Sequence, residues 1–186
     1  MDITPQQASL LLARLPQIGV RTAKKLIDCF GSALQVFSAD PTAWEEAGFL
    51  SPVLHALRKA SEQLPAVERE LLWMDQHQLR MTAYGDENYP SSLAFTADPP
   101  AVMFHQGTID FSAPRVLSIV GTRNPTRQGI AMCQKLVEAL AVYQPIIVSG
   151  FARGVDIAAH RAALKVGLKT VGVLGHAFGR WYPPEH

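Results

Sequence analysis

Three short segments gather the residues that could do chemistry: GTRNPTRQG from Gly121, SGFARGVD from Ser149, and GHAFGRWYP from Gly175. Each combines glycine with arginine, namely Arg123 and Arg127 in the first, Arg153 in the second and Arg180 in the third. Glycine lets a backbone come close to a ligand, and unpaired N–H groups at a helix start favour phosphate. Guanidinium adds charge and a fork that can hold phosphate through two hydrogen bonds. The chemistry indicated is therefore anion binding. Phe151, Phe178, Trp181 and Tyr182 lie in or near the same segments. They either stack on unpaired bases, worth ~1–3 kcal/mol each, or pack as plugs under the neighbouring structure.

Several phosphate chemistries are excluded by what is missing. A dinucleotide site calls for GxGxxG in the first turn and an acidic residue closing the second strand. Here the first turn holds only Gly121 and Gly129, and the second run ends in Ser149-Gly150. No GxxxxGK precedes Ser or Thr, so a P-loop is absent as well. Ser149 lacks the GxSxG setting of a nucleophile elbow. Asp156 and His160 stand one helical turn apart and could relay protons or hold a metal, but no third ligand accompanies them. The structural alternative is that Asp156 gains from the helix dipole and His160 bonds to a neighbouring loop. His55, His77, His105 and His176 are scattered. We therefore expect no catalytic residue, no metal and no cofactor.

The elements that must position these turns follow from periodicity. Apolar runs at 116–120, 146–148 and 170–174 each end at or just before glycine, and helical stretches join them, to about Tyr143 and from about Val155 to Val166. Strands alternating with such helices predict right-handed crossovers and an α/β fold with a Rossmann-like parallel sheet. Ligands in such sheets sit where strands end and helices begin, which is where the three segments fall.

The preceding residues read as short helices. Asp40-Pro41 and Ser51-Pro52 each place a cap residue before a proline, and Leu10, Leu11 and Leu15, then Leu26, Ile27 and Phe30, have helical spacing. A last helix is expected from about Pro65 to Gln78, and Trp44 and Trp73 are expected in the core. Leu15 to Ala23 resembles a helix-hairpin-helix, with Gln17 where that hairpin usually has glycine. It either offers N–H groups to a DNA phosphate or is a turn within a packed domain. The expected organisation is a small all-α, SAM-like or helix-hairpin-helix-like domain over 1–65 and the first part of the Rossmann-like domain over 66–186. Residues 80–110 are transitional, with short apolar stretches between turns.

Charge divides along the same line. Residues 1–114 carry eight Lys/Arg against thirteen Asp/Glu, a net of −5, whereas residues 115–181 carry nine against two, a net of +7. That asymmetry suits a polyanion on the second half; the alternative is loop arginines that merely solubilise the sheet or pair with an acidic protein. Cys29 and Cys133 are isolated, arguing against a disulfide framework or zinc ribbon and for a cytoplasmic setting. No apolar run is long enough to span a membrane.

At three blocks the sequence resembles one family. IVGTRNPTRQG, IVSGFARGVDIAAHRAAL and VGVLGHAFGRWYPPEH, in this spacing, are similar to the DNA-processing protein A (DprA, or Smf) family, as is the lead-in DENYPSSL followed by DPPAVMFHQG. The resemblance covers about Leu72 to His186. It implies a protein that binds single-stranded DNA cooperatively, protects incoming DNA and helps load the RecA recombinase during natural transformation, and that forms a homodimer through the Rossmann-like domain. Gly121, Thr122 and Arg123 match the family's glycine-hydroxyl-arginine turn that lines the DNA pocket. With the neighbouring turns, the expected DNA-binding set is Gly121, Thr122, Arg123, Arg127, Ser149, Gly150, Arg153, Gly154 and Phe178. Family members usually continue beyond this point, completing the sheet and often adding a winged helix, so the chain is expected to be the N-terminal part of a longer protein. The competing enzyme is a Rossmann-like nucleoside-monophosphate phosphoribohydrolase, similar in fold and first turn; its PGGxGT motif is absent from these 186 residues.

Overall fold

Capping chemistry starts the first helices. Thr4 and Gln7 form a reciprocal box, with the Gln7 N–H donating to Thr4 Oγ1 at 3.2 Å and the Thr4 N–H to Gln7 Oε1 at 2.8 Å, so α1 (Pro5–Arg14) begins at a proline that needs no donor. Helices α2 (Val20–Phe30) and α3 (Ala33–Ser38) follow. Asp40 caps α4 (Pro41–Glu46) by accepting from the Thr42 N–H at 2.9 Å, as its sequence setting predicts. The Ser51-Pro52 expectation differs in detail. Leu50 is the cap of α5 (Ser51–Arg58), Ser51 is already helical, and no side chain closes that end.

The computed structural model describes residues 1–108, 110 and 113–179. The chain divides into two compact units, Met1–Ser112 and Ala113–His186. The first extends past residue 65 because its core goes on collecting partners. Helix α6 (Leu64–Gln76) adds buried Val67 and Met74. Strands β1 (Arg80–Ala83) and β2 (Val102–His105), with the one-turn α7 (Ser91–Ala94) between them, pair antiparallel from Arg80↔His105 to Ala83↔Val102. Met81, Tyr84, Ala101 and Phe104 of this hairpin pack against the helical core of Leu10, Leu11, Leu26 and Leu57. Trp44 is buried there, its indole N–H donating to the Val36 carbonyl at 2.9 Å. Trp73 is not: it is 38% exposed and stacks on His77 at 4.1 Å.

The second unit is the expected α/β sheet. Strand β3 (Val116–Ser118), helix α8 (Arg127–Leu140), strand β4 (Ile146–Gly150), helix α9 (Val155–Lys165) and strand β5 (Thr170–Val173) alternate, and the strands lie in the order β3-β4-β5. Both pairings are parallel, with Leu117 level with Ile147 and Ile147 level with Thr170. The core lies between sheet and helices, where Cys133 and Val137 of α8 meet Ile147 and the alanines of α9. Burial pushes the Cys133 thiol up, which suits a packing residue. No described helix is long and apolar enough to cross a membrane.

Candidate functional site

The ends of β3 and β4 are held level. The Ile119 N–H donates to the Val148 carbonyl at 2.9 Å, and the buried Ser149 hydroxyl donates to the Ile119 carbonyl at 2.6 Å. From these ends the first two turns dock on each other. A Cβ on Gly121 would stand 2.7 Å from Val155 Cβ. Gly154 has φ +89° and ψ −127°, and a Cβ there would strike the Thr122 carbonyl and come within 2.8 Å of Arg123 Cα. The Val155 N–H donates to Thr122 O at 3.2 Å across the junction. Glycine is required at 154 on both grounds, positive φ and lack of space.

This docking fixes what faces outward. Thr122 and Arg123 are exposed, and Thr122 Oγ1 accepts from the Asn124 N–H at 3.2 Å, tightening the turn. Thr126 caps α8 through the Gly129 N–H at 3.1 Å, which leaves Arg127 exposed at the first helical position. Arg153 is exposed in the second turn. Ser149, by contrast, spends its hydroxyl as a brace, and Gly150 is a spacer, since a Cβ there would lie 2.5 Å from Asp156 Oδ2. Phe178 is half-buried after β5, outside the bonds that tie the first two turns. Arg180, Trp181 and Tyr182 lie outside the described residues.

His160 and Asp156 support the same turns. His160 is buried, with Nε2 2.8 Å from the Gly150 carbonyl and Nδ1 2.7 Å from Thr170 Oγ1. A carbonyl only accepts, so Nε2 carries a proton. The imidazole thereby ties α9 to the last residue of β4 and the first residue of β5. Phe151 packs over this brace, 5.7 Å from the His160 ring, and a Cβ on Gly172 would sit 3.1 Å from its ring edge. Among the described residues no three His, Cys, Asp or Glu side chains gather as metal ligands.

A glycine-docked pair of turns presenting arginines at the carboxyl ends of a parallel sheet is therefore in place, and comparison with known proteins assigns its lineage. The family model described as DNA recombination-mediator protein A matches residues 80–186. The chain belongs to the DNA recombination-mediator protein A family. It is 33% identical over 165 residues to the DNA processing protein DprA of Bacillus subtilis, an alignment covering 82% of this chain and 54% of that one. It is 37% identical over 98 residues to the DprA of Streptococcus pneumoniae, covering 53% and 34%, and 32% identical over 121 residues to Protein Smf of Escherichia coli, covering 65% and 32%. The X-ray structure of DNA processing protein A from Streptococcus pneumoniae superposes with a TM-score of 0.70 at 25% identity, over 100% of this chain and 62% of that one. The sequence alignments thus reach about half the length of the Bacillus subtilis relative and about a third of the other two.

The family match takes in the β1–β2 hairpin and the whole second unit, and leaves the helices before residue 80 outside it. In the helix-hairpin-helix-like segment Gln17 adopts φ +68°, the left-handed conformation glycine would supply, so the turn forms despite the replacement. Its cations are answered within the unit. Arg21 forms a two-bond ion pair with Asp98, and Lys24 bonds Asp28 at 2.6 Å and the Tyr84 hydroxyl at 2.8 Å. The Asp28 bond foremost pushes the Lys24 amine up to about 12. Arg123 and Arg127 have no such partner among the described residues. One residue escaped the sequence reading: Arg161, in the middle of α9, lines a groove together with Arg123. Its spacing of seven residues from Gly154 was the available signal, because two helical turns return to the same face.

Proposed function

We infer that the second unit binds single-stranded DNA, with Gly121, Thr122 and Arg123 gripping a phosphate and Arg127, Arg153 and Gly154 completing the surface. The observation that carries this is the docking of Gly154 beneath Thr122-Arg123. It fixes the backbone at the strand mouth and leaves the Arg123 guanidinium exposed, where an anion approaching the sheet would meet it. Family membership and the net positive charge of residues 115–181 support the same reading. Ser149 and Gly150 belong to the site as supports, and Phe178 as a candidate stacking platform. The whole protein, on this reading, is a homodimer in the cytoplasm that protects incoming DNA and passes it to the RecA recombinase, without catalysis of its own.

The test is a salt titration of labelled poly-dT binding by the full-length protein. Arg123→Ala is expected to weaken binding and lower the slope of log K against log salt by roughly 0.7, the single-strand value per phosphate contact. Lysine should rescue poorly because it lacks the fork. Arg58→Ala, whose side chain pairs with Glu45 in the helical unit, should leave the slope unchanged. Wild-type affinity, slope and melting temperature in Arg123→Ala would remove the residue from the site. Release of free base from nucleoside monophosphates, lost in the same variant, would instead establish the hydrolase.

A further inference from the structure

Helices α8 and α9 run side by side, and a series of facing positions between them can be read one turn at a time. Ile130 faces the start of α9 around Ile157 and Ala158, Gln134 lies one turn on from Ile130, and Arg161 one turn on from Ile157. One further turn brings Glu138 and Lys165, which close the end with an ion pair at 3.0 Å. At the open end stand Arg123 and Asn124 of the first turn, and all these residues up to Arg161 line one groove of 470 Å³.

The charges along this groove do not balance. Among the described residues the second unit has only two carboxylates, Glu138, taken by Lys165, and Asp156, buried beside Gly150. Arg161 shares the groove with the neutral amide of Gln134, where the next turn offers glutamate to lysine. Arg161 and Arg123 share the groove with no carboxylate partner among the described residues. Two like charges in one partly enclosed groove repel, and an anion between them converts that repulsion into attraction on both sides. Arg161, Asn124 and Gln134 can all donate to phosphate oxygens, and the stem of Arg161 can lie on the apolar floor of Ile157 and Ala158.

We propose that the α8–α9 groove seats a second phosphodiester of the bound strand, with Arg161 as its principal contact, next to the phosphate held at Arg123. This rests on the single-strand reading and adds a direction to it: the strand runs from the mouth of β3 down the groove and stops at the Lys165–Glu138 pair.

Two variants of the full-length protein test it without emptying the groove. Arg161→Met keeps the apolar stem and removes the charge. Gln134→Glu places a carboxylate opposite Arg161, supplying from within the protein the partner the groove lacks. Both are expected to weaken poly-dT binding about fivefold and to lower the salt slope by roughly 0.7. Both should leave binding of a thymidine dinucleotide, whose single phosphodiester takes the Arg123 seat, unchanged. Gln134→Glu should melt no lower than wild type, an effect that a structural role for Gln134 would not give. If Arg123→Ala weakens poly-dT while both groove variants match wild type, the groove is not on the path, and the single-strand reading stands without it. If wild-type protein does not bind poly-dT, or Arg123→Ala leaves it unchanged, the single-strand reading falls and takes this inference with it. If orthophosphate raises the melting temperature through Arg161 while poly-dT binding stays at wild type in Arg161→Met, the groove serves a free phosphate and the proposal is overturned.

Discussion

A glycine that lets a ligand approach and a glycine that lets another piece of backbone approach look the same in sequence. Gly121, Gly150 and Gly154 were legible as positions where something must come close. What comes close is Val155, Asp156 and the Thr122-Arg123 backbone respectively, so these glycines build the platform on which Arg123 stands. Ser149 teaches the same lesson, since a hydroxyl beside glycine at a strand end reads as a phosphate donor and serves here as a staple to Ile119. The strongest consequence is at Gly154, which combines φ +89° with no room for a methyl group. Gly154→Ala should destabilise the second unit by about 2–4 kcal/mol, from backbone strain and overpacking together. Urea unfolding measures this directly. A variant with wild-type stability would mean the turns are not docked in solution, and the placement of Arg123 would lose its support.

Helix α9 shows how far periodicity carries at the scale of an element. Its existence and approximate bounds were legible, because its apolar residues recur at helical spacing between Gly154 and Gly167. Less obvious was that alanine, rather than larger residues, forms the buried stripe: Ala158, Ala159, Ala162 and Ala163 all meet the sheet side. Small side chains allow a close approach, which brings His160 within reach of Gly150 and Thr170. Ala159→Leu, at a fully buried position, is expected to cost about 1–3 kcal/mol by overpacking and to loosen that brace. An unchanged unfolding midpoint would show slack beneath α9 that the packing does not suggest. The β1–β2 hairpin was illegible for the opposite reason. Each strand has four residues, β2 alternates no polar face, and a long connection replaces a tight turn. Its partners lie in helices far away in sequence, so tertiary packing rather than local pattern decides it. Trp73 likewise sits at a core-like spacing, yet it faces outward against His77.

At the scale of the whole molecule, the change of sign along the sequence and the division into units coincide. Met1–Ser112 carries the net −5 counted from the sequence, and its basic side chains in the hairpin-like segment are held by Asp98 and Asp28. A phosphate approaching that segment would have to displace carboxylates from Arg21 and Lys24. At the first turn of the sheet no carboxylate among the described residues pairs with Arg123 or Arg127. The field of the first unit thus opposes a polyanion and that of the second attracts one, an effect that grows as salt is lowered. The first unit also has its own core, from Leu10 and Leu11 through Leu57 to Phe104, which is the requirement for folding alone. Residues 1–112 produced alone should therefore melt cooperatively by circular dichroism and show no binding to labelled poly-dT, even in dilute buffer where electrostatic attraction is least screened. The full-length protein under the same conditions should bind. Should the isolated unit bind poly-dT as tightly as the whole, the N–H groups at the start of α2 hold the phosphate after all. The seat would then move from Arg123 to the helical hairpin, and the charge of the second unit would be left to account for solubility alone.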